Sequence, residues 1–378
     1  MIIWFAVFVP LLSIPFLIWR FPHKVVWWEL AVPVLSSILL IAACKASIEA
    51  IQTTDTEYWG GHLTQAEYYE AWNERVSCRH PKYKTVRNKD GTTSKVQDGY
   101  EHAYDVDYHP SYREASDSNG ITVSISSDHF EQLTKRFSNR QFVDLHRSYH
   151  TIDGDKYVTK WDGQEETLEP FTSVHRYENR VACSDSIFNF EKVDPKQYGL
   201  FEYPEIFDSY RCRSILGGPV GNQDEAERRL SLLNATLGRV KQIRVWVLVY
   251  YDKPMAAAYA QQQYWKNGNK NELIIAVGLN QDQKVSWAQV FSWTDKEQFK
   301  ADVRSKLIEQ EGQPFNLMSV VDWLQTATQR DWVRKEFKDF SYITVEPPGW
   351  AIALSFFLTF IVTAGCCWWV VKNQFEEK

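Results

Sequence analysis

The chain has 378 residues, with 48 acidic against 42 basic side chains and a net charge of −6, so its charge balance offers no basic surface for nucleic acid. Six cysteines are too few for a disulfide-built scaffold of this length. What stands out is the placement of apolar residues.

Residues 2–19 are apolar apart from Ser13 and two prolines, Pro10 and Pro15, which are expected to bend a helix. Arg20-Phe-Pro-His-Lys24 follows as a short basic turn, and residues 25–44 form a second apolar run carrying one charge, Glu29. A third run, residues 350–371, carries none. A helix rises about 1.5 Å per residue, so roughly 20 apolar residues cross a hydrocarbon layer about 30 Å thick. All three runs are read as membrane helices. The first lacks the preceding basic region and following small-residue site of a signal peptide, so an uncleaved anchor is expected. Trp4, Trp19, Trp27, Trp28, Trp350, Trp368 and Trp369 lie near the run ends, where indoles meet headgroups.

Orientation follows from the short basic flanks. Arg20 and Lys24 in the first turn, with Lys372 and Lys378 in the C-terminal tail, place those segments in the cytoplasm and residues 45–349 on the far side of the membrane. Glu29 lies about one turn inside the second helix, where snorkelling to the interface is expected.

Outside the membrane the second helix is expected to run on through residues 45–51 until Gly60-Gly61 breaks the chain. Residues 64–76 read as a helix, with Thr64 and Glu67 in capping-box spacing and Ala71, Trp72 and Val76 on its buried face. Asp90-Gly91 marks the tip of a hairpin over residues 88–97. Residues 121–125 alternate as a strand, and Ser127 or Asp128 opens a short helix to Phe137. Residues 142–151 and 156–161 flank Asp153-Gly154 as a second hairpin. Residues 165–218 show few regular signals but many aromatics, and are read as wrapping another element.

After Gly217-Gly-Pro-Val-Gly221 the pattern sharpens. Asn222 is expected to cap a helix with Ala226, Leu230, Leu233 and Leu237 on one face and Gly238 at its end. Residues 243–251, 273–279 and 285–293 read as strands, the first two buried on both faces, with a helix opened by Pro254 between the first pair. Strand–helix–strand implies a parallel pair, and the tight link to the third strand makes that one antiparallel. Thr294 and Glu297 suggest a capping box before a helix with Phe299, Val303 and Leu307 inward, and residues 317–340 a last amphipathic helix.

The expected fold is therefore a membrane protein with three transmembrane α-helices and an α+β exterior region whose second half is a small three-layer α/β domain. The divisions are 1–50, 51–218, 219–346 and 347–378. The strand 243–251, the helix 255–265, the turn and strand Trp265-Lys-Asn-Gly-Asn-Lys-Asn-Glu-Leu-Ile-Ile-Ala-Val-Gly278 and residues 284–287 resemble the TPM domain of membrane-anchored bacterial and thylakoid-lumen proteins. The resemblance implies a strand–helix–hairpin fold and a role in assembly or repair of membrane complexes. It also implies, from members reported as phosphatases, a metal-dependent hydrolase with Asp252 and Asp282 as the acidic candidates. Tyr58-Trp-Gly-Gly61 and Tyr68-Tyr-Glu-Ala-Trp72 are similar to segments of uncharacterised phage and bacterial membrane proteins.

Two side-chain groups carry possible chemistry. Cys78-Arg-His80 and His102-Ala-Tyr-Asp105-Val-Asp107-Tyr-His109 offer thiolate, imidazole and carboxylate, the ligands of zinc, with Cys78, His80, Asp107 and His109 as the expected set. A solvated strand face would give the same alternation, and no familiar zinc spacing is met. Of the exterior thiols Cys78, Cys183 and Cys212, two are expected to pair, with Cys183–Cys212 the closer couple although spacing does not decide it. No phosphate-cradling glycine loop, nucleophile elbow or His-Glu-x-x-His helix appears. The expected function is an exterior protein-interaction or assembly module, with lipid and a membrane or extracytoplasmic protein as partners. A membrane-anchored hydrolase is the alternative, and catalysis is not favoured.

Overall fold

A computed structural model describes residues 2–21, 26–135, 137, 139–183, 190–207 and 210–376, the last four by backbone alone. Pro22, His23 and Lys24 of the basic turn, and Lys378, lie outside the described residues. The chain forms two compact units: residues 1–57, 176–192 and 336–378, and residues 58–175 and 193–335.

The first unit holds the apolar helices. A 3-10 turn, Ile2–Val7, leads into α1 (Phe8–Arg20); α2 (Trp27–Thr53) and a C-terminal helix (Gly349–Glu376) pack beside it. Three helices are thus long and apolar enough to cross a membrane. Ile3, Ala6 and Ile41 are buried together against Val7, Ile48 and Phe356, and Ser37 Oγ meets Thr363 Oγ1 at 3.3 Å between α2 and the C-terminal helix. Such polar pairs join helices where the surroundings provide no hydrophobic drive. Leu12, Leu39, Phe357 and Phe360 face outward, as do Trp19, Trp27, Trp350 and Trp368 near the ends. The Glu29 carboxylate turns back to accept Val26 N at 2.9 Å, satisfying an orphan donor at the start of α2.

At 27 residues α2 is roughly 40 Å long, more than a hydrocarbon core requires. Its far end is gripped by a polar collar. Asn179 N donates to Thr53 O at 2.6 Å, and Asn179 Nδ2 to Asp55 Oδ2 at 2.6 Å. The Arg180 guanidinium lies 2.6 Å from Glu49 and 2.7 Å from Glu178, and donates to Ile343 O at 3.0 Å. Gln52 O accepts Cys183 Sγ, and Gln52 Nε2 donates to Glu346 O. The last carbonyls of α2 thereby gain partners that the helix cannot supply.

The second unit has two parts. In the first, β1 (Thr54–Tyr69) is the central strand. It is followed by β2 (Trp72–Ser77), β3 (Pro81–Arg87), β4 (Thr93–Tyr100), β5 (Tyr104–His109), β6 (Tyr112–Asp117), β7 (Thr122–Ser124), α3 (Ser127–Thr134), β8 (Gln141–Val143), β9 (His150–Ile152), β10 (Lys156–Lys160) and β11 (Pro170–Glu178). The main sheet runs β7-β6-β1-β10-β8, with β11 also on β1. Its core gathers Leu63, Ala66, Ala115, Phe130, Leu133 and Phe171.

The helix expected over residues 64–76 is not formed; the segment is the end of β1 and all of β2. A register shift between Leu63 and Gln65 breaks the alternation, so Leu63 and Ala66 are both buried three residues apart, a spacing that mimics a helix. Thr64 caps nothing and donates to Ser116 O at 2.9 Å instead. Gly60 is no turn either; it sits inside β1. The hairpin expected at Asp153-Gly154 is not formed: its two sides separate, β9 pairing with β2 and β10 with β1 and β8. Within residues 165–218, β11 is a nine-residue strand that the composition hides.

The second part has α4 (Pro195–Tyr198), β12 (Ile215–Gly217), α5 (Gln223–Lys241), β13 (Arg244–Tyr251), α6 (Ala256–Tyr264), β14 (Glu272–Leu279), β15 (Val285–Ser292), α7 (Glu297–Ile308) and α8 (Leu317–Asp331). The sheet order is β12-β13-β14-β15, parallel except for β15. Leu230, Leu233, Phe299, Val303, Val321 and Leu324 cover one face; Ala257, Ala258, Trp265, Phe201 and Tyr203 cover the other. Residues on both faces of β13 and β14 are therefore apolar, which is why those runs are continuous. The boundary expected at Gly218 lies inside this unit.

Four details differ from expectation. Asn222 makes no side-chain cap, and α5 passes through Gly238 to Lys241. Gly238 is there for contact: a Cβ on it would come within 3.0 Å of Gly60 O, C and Cα, so strand β1 lies directly on α5. Thr294 makes no capping box; α7 opens at Glu297, and Thr294 Oγ1 donates to Val333 O. The last helix stops at Asp331, because Trp332 turns inward and donates Nε1 to Lys241 O at 3.1 Å.

Residues 199–207 wrap as expected. Gln261 accepts Phe201 N at 2.8 Å and donates to Phe201 O at 3.0 Å. Beneath them Glu272, fully buried, accepts Tyr203 OH, Trp246 Nε1 at 2.8 Å and Asn269 N at 2.8 Å. Burial, and then the Glu272 charge, push the Tyr203 phenol well above its ordinary range. Arg244, register partner of Glu272, is buried over the Trp246 ring, 4.5 Å from its centroid.

Candidate metal centre

β2–β5 and β3–β4 belong to one long hairpin folded about Asp90-Gly91. Outward from that turn, Arg87 faces Thr93, Val86 faces Ser94 and Lys84 faces Val96; after a register shift between Pro81 and Tyr83 the pairing resumes as Val76 facing Asp105 and Trp72 facing His109. Between the two ladders, residues 78–80 run opposite residues 101–103, and Glu101 N donates to His80 O at 3.0 Å across the break.

Four side chains converge at this break. Cys78 Sγ, one ring nitrogen each of His80 and His102, and a carboxylate oxygen of Asp105 all lie within 4.8 Å of one another. His102 Nε2 is hydrogen-bonded to Asp105 Oδ1, and His80 Nδ1 is 3.3 Å from the same oxygen. Asp105 Oδ2 accepts Arg79 N at 2.6 Å. The His102 hydrogen bond, the Arg79 N–H and the two imidazole charges push the Asp105 carboxyl down to about 2. Cys78 is buried, and its sulfur accepts His80 N at 3.4 Å and donates to His80 O at 3.6 Å. The imidazoles are open to solvent. Thiolate, two imidazoles and a carboxylate form a donor set suited to a borderline-soft divalent cation. Among the described residues this is the one His, Cys, Asp and Glu group of that kind.

The sequence-derived set is therefore split. Cys78 and His80 are here; Asp107 and His109 are not. Asp107 is held by the Arg79 guanidinium at 2.6 Å. His109 lies 2.9 Å from Glu74 and stacks on Trp72 at 4.4 Å. Alternation does put Asp105, Asp107 and His109 on one face, but alternate strand residues are about 7 Å apart, and only Asp105 adjoins the break. His102 and Asp105, the two members that the sequence reading left out of its set, were signalled only in part by the Asp90-Gly91 turn, since the register shifts between Pro81 and Tyr83 before the break.

Comparison of the chain with family models, curated proteins and solved structures finds no match. The remaining predicted sites stand alone. Cys183 donates to Gln52 O in the first unit, Cys212 Sγ to Arg213 O in the second, and no disulfide joins them. Burial pushes the Cys212 thiol up. Asp252, at the end of β13, accepts Gln281 Nε2 at 3.1 Å.

Proposed function

We propose that the protein is a membrane-anchored, multi-pass module whose exterior segment binds other proteins, with residues 45–349 on the non-cytoplasmic side. The observation that carries this reading is the outer face of the β5-β2-β9 sheet. Tyr104, Val106 and Tyr108 are exposed along β5, and Ile152 of β9 lies beyond Asn73 on the same face. Arg75, between them, sits over the Tyr104 ring at 5.0 Å. Aromatics with an arginine are the composition of interface anchors rather than of solvated sheet. The opposite face of the same strand carries Asp105, Asp107 and His109. Three helices long and apolar enough to cross a membrane support the anchored part of this reading.

A photo-reactive amino acid at Tyr108 is expected to give one discrete protein adduct in intact membranes, competed away when unlabelled full-length chain is co-expressed. The same group at Gln132, exposed on α3, should give none. Equal adducts at both positions, or none at Tyr108, reject the reading.

Orientation has its own check. Lys89→Cys at the hairpin tip and Asp282→Cys in the β14–β15 turn are both exposed positions. In a background without the other exterior cysteines, each should react with an impermeant thiol reagent before lysis. Reaction only after lysis reverses the topology.

A further inference from the structure

We propose that Cys78 Sγ, His80 Nδ1, His102 Nε2 and Asp105 Oδ1 bind one Zn²⁺ ion that staples the long hairpin at the point where its strand pairing is interrupted. The argument is geometric. Zinc bonds of about 2.0–2.3 Å put the corners of a tetrahedron roughly 3.3–3.8 Å apart. The four donor atoms already lie within 4.8 Å of one another, so closing on an ion needs about 1 Å of adjustment. Exposed imidazoles, with side-chain exposures of 61% for His80 and 44% for His102, can make that adjustment by ring rotation. The same exposure gives the ion a way in.

Position supports the same conclusion. The ladder of β2–β5 and the ladder of β3–β4 lie in separate sheets, and 78–80 and 101–103 are the segments that join them. An ion there takes two ligands from the outgoing chain and two from the returning chain. It does for the break what backbone bonds do on either side of it. Four protein ligands leave no open position for substrate, so the site is structural rather than catalytic. On binding, the Cys78 thiol loses its proton to water and the sulfur becomes the fourth ligand.

The test uses the reduced full-length chain in detergent, with Co²⁺ alone as the probe. Tetrahedral thiolate coordination is expected to give intense visible bands and a sulfur-to-cobalt absorption in the near ultraviolet, both removed when Zn²⁺ displaces the cobalt. Cys78→Ser should abolish the near-ultraviolet band. His102→Ala should weaken binding on the order of 100-fold or more. Asp107→Asn and His109→Ala should leave both signals unchanged. His102→Cys, which retains a ligand, should bind and increase the near-ultraviolet band, separating loss of a ligand from loss of fold. A band that persists in Cys78→Ser, dependence on His109 instead of His102, or absence of tetrahedral cobalt in the unmodified chain overturns the proposal. The cluster is then only a histidine–aspartate ion group.

Discussion

Replacing Glu272 with leucine is expected to cost the second unit about 3–5 kcal/mol, the penalty for removing one partner from a buried charged network. Leucine fills much of the space but accepts nothing. Tyr203 OH, Trp246 Nε1 and Asn269 N would each lose a buried acceptor, and Arg244 would keep its charge beside them without the carboxylate. Tyr203→Phe should cost about 1 kcal/mol, since it removes one donor and leaves the carboxylate with two. In the Glu272→Leu background the same Tyr203 change should cost much less, because the bond it breaks is already gone. Denaturant unfolding in detergent, followed by the fluorescence of Trp246 and Trp265, measures all three. A single-variant loss below about 1 kcal/mol would show that the carboxylate does not hold these donors.

Gly238→Ala sets two effects against each other. In a solvent-facing helix interior, alanine gains about 1 kcal/mol over glycine. Here the new methyl would lie within 3.0 Å of three backbone atoms of Gly60, and backbone cannot swing aside as a side chain can. Overpacking of this kind costs about 1–3 kcal/mol, occasionally more, and β1 is fixed by antiparallel pairing to β6 and β10. Net destabilisation of about 2 kcal/mol is expected, with a matching fall in Tm. Gly221→Ala, where nothing lies within 4 Å, should change stability by less than about 0.5 kcal/mol. A stabilised Gly238→Ala variant would mean that strand and helix stand further apart than described.

The parts of the fold that were readable are those where one physical signal acts alone. Apolar length gives the three long helices, and two-sided burial gives β13 and β14 as unbroken runs. The Asp90-Gly91 turn gives β3–β4. Unreadable parts are decided by distant pairing. Residues 64–69 carry a bulge that imitates helical spacing, and only β6 and β10 on either side make them a strand. Gly238 looks like a stop because its reason for being glycine, Gly60, is far away in sequence. The candidate metal cluster was half legible. Residue types and hairpin were in view, but choosing between Asp105 and Asp107 required knowing where the ladder breaks.

The interleaving of the two units bears on how the second could be detached from the first. The chain passes between them after Glu57, after His175, after Lys192 and after Lys335. A protease cutting at any single passage leaves the second unit covalently held through the others. Cuts at both outermost passages still leave residues 176–192 within the released piece, bound at Asn179 and Arg180 to Thr53, Asp55, Glu49 and Ile343 of the first unit. Release of the second unit by cuts at those two passages therefore also requires the extraction of that segment.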